Sequence, residues 1–199
     1  MRKLTATLCL TLTILIESAG MSSSADFQKG LTAYKSGDFA TALREWQSLA
    51  EQGNVNAQFN IGFMYRGGQG VSQNYETAAK WWKLSAQQGD ALSQLMLGAM
   101  YEEGTGVSQD HKTAVKWLKL SAQQGNAAAQ YKLGLMRLRG NGVEPDDIYA
   151  FMWMDIASLN GEKLAPKNRD IVGSWMTPAD ISTAQKLARE CVRKKYKGC

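Results

Sequence analysis

The sequence predicts an all-α fold, an α-solenoid of antiparallel helix pairs that recur with a period of 36 residues. Sliding the chain by 36 residues brings it into register with itself, and residues 70–89 match residues 106–125 at 15 of 20 positions. Glycines interrupt the repeat at two fixed places, where helices are expected to end. No segment carries the signals of a β-strand, so each interval between glycines is predicted to be a helix.

The N-terminal segment has the pattern of a signal peptide. Two basic residues precede an apolar run over residues 4–16, which is shorter than the roughly 20 residues that a membrane-spanning helix needs. Small residues at 23–25 predict cleavage before Asp26, so residues 1–25 are assigned as a signal peptide, with an uncleaved N-terminal anchor as the alternative. We therefore expect a periplasmic or secreted protein of the bacterial envelope, with no stable membrane insertion after cleavage.

Each 36-residue unit is predicted to contain a helix A, at about 55–66 in the first unit, and a helix B, at about 74–88. A Gly-x-Gly-Val loop joins the two helices, and an Asn or Asp then stands where a side-chain oxygen can cap helix B. A Gly-Asn or Gly-Asp junction joins helix B to the next helix A. The predicted segments are a tetratricopeptide-like hairpin at 26–53, units at 54–89, 90–125 and 126–161, and C-terminal capping helices at 162–199.

Positions that are constant between the units are predicted to form the packed core. They include a glycine in the middle of helix A, which requires close helix packing to offset its cost of about 1 kcal/mol against alanine. A methionine on helix A (Met64, Met100, Met136) and a tryptophan on helix B (Trp81, Trp117, Trp153) also recur every 36 residues. We expect the methionines in the core and the tryptophans in the wider gaps between helices.

These constant positions give the motifs Q-x-x-[LI]-G-x-M, G-x-G-V and A-x-x-W, which resemble the Sel1-like repeat, a member of the tetratricopeptide-like class. The resemblance covers about residues 54–161 and continues more weakly over 27–53. It implies an adaptor or scaffold that binds a protein or peptide partner, because that is what most members of this family do. The alternative function is a cell-wall or glycan-associated protein or an enzyme modulator.

The charge and the polar residues do not indicate catalysis, a cofactor or a metal site. Removal of residues 1–25 lowers the formal charge only from +5 to +4, and much of the excess lies near the C-terminus, so nucleic acid binding is not expected. His111 is the only histidine, and the chain contains no Ser-x-x-Lys motif of the serine β-lactamases. We therefore predict a protein that is not an enzyme.

The candidate partner-binding surface is a stripe on helix A, at positions that vary between the units and recur with helical i, i+3, i+4, i+7 spacing. Its large or polar members are Phe59, Asn60, Phe63, Leu95, Met96, Tyr131, Lys132 and Leu135. An apolar groove of this kind suits an extended peptide or a helix from a partner, and a capped solenoid suggests a monomer. The alternative is that the stripe packs against neighbouring repeats.

The predicted mature chain keeps two cysteines, Cys191 and Cys199. An even number of cysteines in an exported protein favours a disulfide between them. Closing so short a loop contributes about 2.5 kcal/mol in the chain-entropy model, so the bond is expected to pin the tail rather than hold the fold.

Overall fold

A computed structural model describes residues 24–199, which fold into ten helices without a strand. The helices are α1 (24–35), α2 (Phe39–Glu51), α3 (Val55–Gly67), α4 (Tyr75–Gln87), α5 (Ala91–Glu103), α6 (His111–Ala122), α7 (Ala127–Arg139), α8 (Asp147–Leu159), α9 (Ala165–Gly173) and α10 (Pro178–Arg193). Nearly all of the predicted signal peptide lies outside the described residues. The described chain divides into two compact units, one ending at Asn74 and one running from Tyr75 to Cys199.

The first unit is held together by an aromatic cluster between α1 and α2. Trp46 of α2 is 2% exposed, and its ring lies 5.5 Å from Tyr34 and 5.9 Å from Phe27, measured between centroids. Its indole Nε1 donates a hydrogen bond to the Phe27 carbonyl oxygen. A Cβ on Gly30 would lie 2.5 Å from the same Nε1, so glycine is what lets α1 approach the indole. α3 then packs against α2.

The second unit is a succession of packed helix neighbours, α4 on α5, α5 on α6, α6 on α7 and α7 on α8, with α9 and α10 both packed on α8. One buried cluster joins α5 to α8 and α10, and includes Leu118, Met136 and Ile156. A second cluster, which we call the C-terminal cluster, consists of Phe151, Met154, Val172 and Ala184. The prediction that the helix A methionines belong to the core is confirmed, since Met64, Met100 and Met136 are at most 5% exposed.

Polar caps and glycines set the ends of the repeat helices as predicted. The side chains of Asp110 and Asp146 accept hydrogen bonds from the third amide of α6 and α8, and Asn54, Asp90 and Asn126 do the same for the A helices. The first glycine of each Gly-x-Gly loop closes helix A with a left-handed backbone, at φ values of 66° to 73°.

The second glycine of each loop has a steric function that the sequence analysis did not identify. A Cβ on Gly106 would lie 2.5 Å from the carbonyl carbon and oxygen of Tyr75, the first residue of helix B in the preceding pair. Gly142 approaches the His111 backbone more closely still, and a Cβ on Gly70 would lie 2.8 Å from the Phe39 Cβ. These three contacts recur every 36 residues. The glycine therefore lets each loop dock on the start of the helix B before it.

The most buried position on helix B is the residue after each recurrent tryptophan. Trp82 and Leu118 are fully buried, whereas Trp81 and Trp117 are only half-buried. Leu118 reaches the helix A glycine, because a Cβ on Gly98 would lie 2.7 Å from its Cγ. The close packing predicted for the helix A glycine is therefore provided by the residue after the aligned tryptophan.

The recurrent glutamine of helix A forms a buried hydrogen-bond ladder. Its amide donates to the carbonyl oxygen of the residue eight positions earlier, at the end of the preceding helix B, in all three repeats: Gln58 to Ala50, Gln94 to Ala86 and Gln130 to Ala122. Within the second unit the side-chain oxygen of the glutamine also accepts a hydrogen bond from the end of the next helix B. The Gln124 amide donates to Gln94, and the Asn160 amide donates to Gln130. The glutamine thus connects successive helix pairs through polar groups that would otherwise be buried without partners.

The C-terminal tail folds back on the repeats beyond α10. Cys191 and Cys199 form a disulfide, which closes a loop across a sequence separation of 8 residues. Within that loop Lys195 and Tyr196 adopt positive φ values of 51° and 62°, and the Tyr196 hydroxyl bonds to the Asn160 side chain. The tail is therefore tied to α10 covalently and to the end of α8 by hydrogen bonds.

Candidate protein-binding surface

The stripe predicted on helix A is most open on α3, in the first unit. The Phe63 side chain is 40% exposed, and its ring centroid lies 6.5 Å from that of the half-buried Phe59. Asn60 lies between them in sequence and is half-buried, and its amide forms no side-chain hydrogen bond with the described residues. This aromatic pair beside an amide offers apolar surface together with hydrogen-bonding groups, as grooves that recognise helices or extended peptides do.

On α5 the stripe is largely enclosed. Leu95 is 7% exposed and belongs to the buried cluster that contains Leu118 and Leu133, so the expectation that it faces a partner is wrong. The reason is that α5 lies inside the second unit, where the cluster built with α6 and α7 surrounds this position. Met96 is half-buried and packs on the same cluster.

On α7 the stripe residues contact other parts of the second unit. Tyr131 and Leu135 are half-buried and pack on the C-terminal cluster, and the Asn168 amide of α9 donates a 2.8 Å hydrogen bond to the Tyr131 hydroxyl oxygen. Burial, reinforced by the charge of Glu162, raises the pKa of Tyr131, which therefore stays a neutral phenol. Tyr131 and Leu135 therefore pack against α8 and the C-terminal capping helices, which is neither an open groove nor the predicted alternative of packing against a neighbouring repeat.

Lys132, also predicted to face a partner, is engaged in an ion pair. Its Nζ lies 2.7 Å from Glu102 Oε2, and the two side chains are 28% and 14% exposed. The pair joins α7 to α5 and neutralises the lysine charge. Glu102 was not among the predicted residues, although a carboxylate and a lysine on the same variable stripe of successive repeats are a detectable signal. Asn168 lies outside the repeats, and no pattern in the sequence pointed to it.

The described residues hold few groups suited to chemistry. No set of three or more His, Cys, Asp or Glu side chains within residues 24–199 could bind a metal ion. The His111 Nδ1 atom is buried without a hydrogen-bond partner in the described part of the chain, where the loop at Gly142 docks on the start of α6. This position gives His111 a role in packing between successive pairs.

Every helix in residues 24–199 is too short or too polar to cross a membrane.

Comparison with known proteins agrees with this architecture. The Sel1 repeat model matches residues 55–90, 91–126 and 127–162, each one residue later than the units predicted from the sequence. A Sel1 repeat protein from Oxalobacter formigenes is 28% identical, with a TM-score of 0.70 over 83% of this chain and 75% of that one. A protective antigen of uropathogenic Escherichia coli with an SLR fold is also 28% identical, with a TM-score of 0.54 over 87% of this chain and 47% of that one.

No curated protein matches the sequence. The three matched repeats together cover more than half of the chain, and the two solved structures share its helical repeat fold. The predicted fold class, an all-α solenoid with a period of 36 residues, is confirmed. The chain belongs to the Sel1 repeat family.

Proposed function

We propose that this protein is an exported, monomeric scaffold that binds a protein or peptide partner through the helix A stripe, with Phe59, Asn60 and Phe63 as the anchor. Sel1 repeat proteins are generally protein-interaction scaffolds and are typically not enzymes. The observation that carries the proposal is the aromatic pair on α3, of which Phe63 is 40% exposed. Interface binding energy concentrates in a few anchor residues that become fully buried on binding, and a large exposed side chain such as Phe63 is able to fill that role.

The contrast between the A helices supports this choice of anchor. Leu95 is buried, Lys132 is paired with Glu102, and Tyr131 is covered in part by α9. The α3 segment is thus the part of the stripe with the greatest apolar exposure, while α5 and α7 offer the half-buried Met96, Tyr131 and Leu135 at most as secondary contacts.

Export is part of the proposal and rests on two independent features. Residues 1–25 have the composition of a signal peptide, and Cys191 and Cys199 are joined by a disulfide of the kind that persists in oxidising compartments. N-terminal sequencing of the protein from a periplasmic fraction tests it. A start near Asp26 is expected, and a full-length protein confined to the cytoplasm would contradict export.

Light scattering coupled to size-exclusion chromatography tests whether the purified protein is a monomer.

Site-specific photocrosslinking tests the partner surface directly. A photoreactive phenylalanine analogue placed at Phe63 should crosslink to a discrete protein in the envelope, because that side chain projects from the proposed anchor. Val192 of α10 is the matched control, since it is also an apolar residue, with 39% exposure, but lies outside both the helix A stripe and the repeats. The same analogue at Val192 should give no such product.

Charge substitution then tests whether the contact contributes to binding. Phe63→Asp should abolish capture of the crosslinked protein, whereas Val192→Asp should retain it, with far-UV circular dichroism showing equal helicity in both variants. Capture that survives Phe63→Asp, or crosslinks that form equally at both positions, would remove the helix A stripe from the partner interface.

A further inference from the structure

The second unit carries another candidate binding surface, formed by α4, α5 and α6. Two adjoining surface clefts of about 220 and 340 Å³ share Lys83 and Tyr101 as common lining residues. Because they share a wall, the two clefts form one elongated depression. We call it the basic trough and define it by Lys80, Lys83, Tyr101, Lys116, Trp117 and Leu120.

The charge of the trough is not balanced by its surroundings. Lys80, Lys83 and Lys116 are all exposed, and none of them forms an ion pair with any residue in 24–199. Glu76 is the only acidic side chain that lines either cleft. Three lysines against one glutamate leave an excess of two positive charges, which favours a ligand that carries carboxylates.

The trough also offers apolar and hydrogen-bonding groups between the lysines. Trp117 and Tyr101 are half-buried, and Leu120 keeps 44% of its surface exposed. The Tyr101 hydroxyl forms no hydrogen bond with the described residues, so it can donate one to a carboxylate. A ligand that fits this surface needs an apolar side chain as well as negative charge, which a simple inorganic anion lacks.

The repeat explains why such a surface exists and what shape of ligand it suits. The pattern Lys-Trp-x-Lys-Leu occurs at 80–84 and again at 116–120, one period later, so that neighbouring B helices present equivalent lysines. Equivalent groups on successive helices form a row, which an extended chain can follow. The lining contains no arginine, the residue that bidentate recognition of phosphates favours, so a nucleic acid fits less well than a peptide.

We propose that the basic trough binds an acidic segment of a protein partner, with carboxylates at Lys83 and Lys116 and an apolar side chain against Trp117 and Leu120. This surface is additional to the helix A stripe and does not depend on it. It would let the scaffold hold a partner through two contacts or hold two partners at once.

The test uses a defined probe, the peptide acetyl-Glu-Glu-Leu-Glu-Glu-amide carrying a fluorescent dye, and its Gln-Gln-Leu-Gln-Gln counterpart. Binding to the purified protein is measured by fluorescence anisotropy at low salt. Two double variants carry the same change in net charge. Lys83→Glu with Lys116→Glu alters the trough, whereas Lys112→Glu with Lys186→Glu alters exposed lysines of α6 and α10 that line neither cleft and lie outside the Lys-Trp-x-Lys-Leu pattern.

We expect the acidic peptide to bind the wild type, the trough variant to lose about tenfold or more in affinity, and the control variant to stay within about threefold. Equal losses in both variants would show attraction to net charge alone and overturn the proposal, as would equal binding of the glutamine peptide. A single-stranded DNA oligonucleotide that binds more tightly than the peptide, and that the trough variant loses, would also overturn it. Phe63→Asp should leave peptide binding unchanged, so failure of the helix A anchor and failure of the trough are distinguishable.

Discussion

Substitution of Gly106 by alanine tests the docking of each loop on the preceding helix B. Gly106 has φ +71°, and an added Cβ would lie 2.5 Å from the carbonyl carbon and oxygen of Tyr75. Those atoms belong to the backbone of the first residue of α4, so they cannot move aside without displacing the helix. The substitution therefore combines a backbone cost with a steric cost.

Gly104, two residues earlier in the same loop, separates the two costs. Its φ is +73°, almost the same, but its added Cβ would lie 3.1 Å from the Cβ of Gln109, a contact that is relieved by a shift of a few tenths of an ångström. A left-handed conformation costs alanine about 1–2 kcal/mol. Overpacking against a rigid neighbour adds about 1–3 kcal/mol. The free energy of unfolding should thus fall by about 1–2 kcal/mol in Gly104→Ala and by about 2–5 kcal/mol in Gly106→Ala.

Urea unfolding followed by far-UV circular dichroism measures both changes in stability. The urea concentration at the unfolding midpoint is compared between proteins whose free energies depend on urea with the same slope. The expected order of stability is wild type, Gly104→Ala, then Gly106→Ala, with a clear gap between the two variants. If the two variants unfold at the same urea concentration, the backbone conformation alone explains both glycines, and the inferred contact with Tyr75 contributes nothing. A Gly106→Ala protein as stable as the wild type would refute the backbone argument as well.

Three further substitutions test the features that join the helices. Gln130→Leu, which keeps the side-chain volume but leaves buried polar groups without partners, should lower the free energy of unfolding by about 1–3 kcal/mol in the same urea assay. Cys199→Ser should lower the free energy of unfolding by about 2.5 kcal/mol, because the bond to Cys191 is lost, and reduction of the wild type should have the same effect. A reductant should not change the stability of the variant. Hydrogen bonds from the Thr113 hydroxyl and amide lower the pKa of Asp110 in the folded protein. The charged Asp110 therefore stabilises the fold at a pH above its pKa in the unfolded chain, and this stabilisation is lost as the pH falls through its pKa in the folded protein. The melting temperature of Asp110→Asn should therefore fall less than that of the wild type between pH 7 and pH 3, and an equal fall would contradict the stabilising role of the Asp110 charge.

The features that the sequence predicted well are those decided within a few residues. A glycine that ends a helix with positive φ, and an aspartate that caps the next one, act on atoms of their own segment. Gly104 and Asp110 therefore behave as predicted. The second glycine of the loop is different. Gly106 is required because its loop packs against the Tyr75 backbone, 31 residues away in sequence, and the spacing of the repeat shows that a glycine recurs but not which atoms it contacts.

The tryptophan series shows a related limit. The alignment of Trp81 with Trp117 records which residue type recurs, yet burial depends on the direction of each side chain. The adjacent position faces the helix A glycine in the two later pairs, where it carries Leu118 against Gly98 and Met154 against Gly134. A position can thus be central to the core while its residue type varies, since any apolar side chain of suitable volume fills it.

The helix A stripe shows why exposure is harder to predict than packing. Comparing repeats assumes that equivalent positions have equivalent neighbours, and this holds for contacts inside a helix pair. It fails at α7, because α9 is not part of a repeat and yet supplies Asn168 to the Tyr131 hydroxyl. It fails at α5 because the cluster built with α6 and α7 encloses Leu95, the residue at the position of Phe59. Candidate binding surfaces on this chain therefore lie where a variable side chain keeps its exposure in the folded protein, as Phe63 does, or where equivalent lysines recur without an ion pair to any residue in 24–199, as Lys80 and Lys116 do.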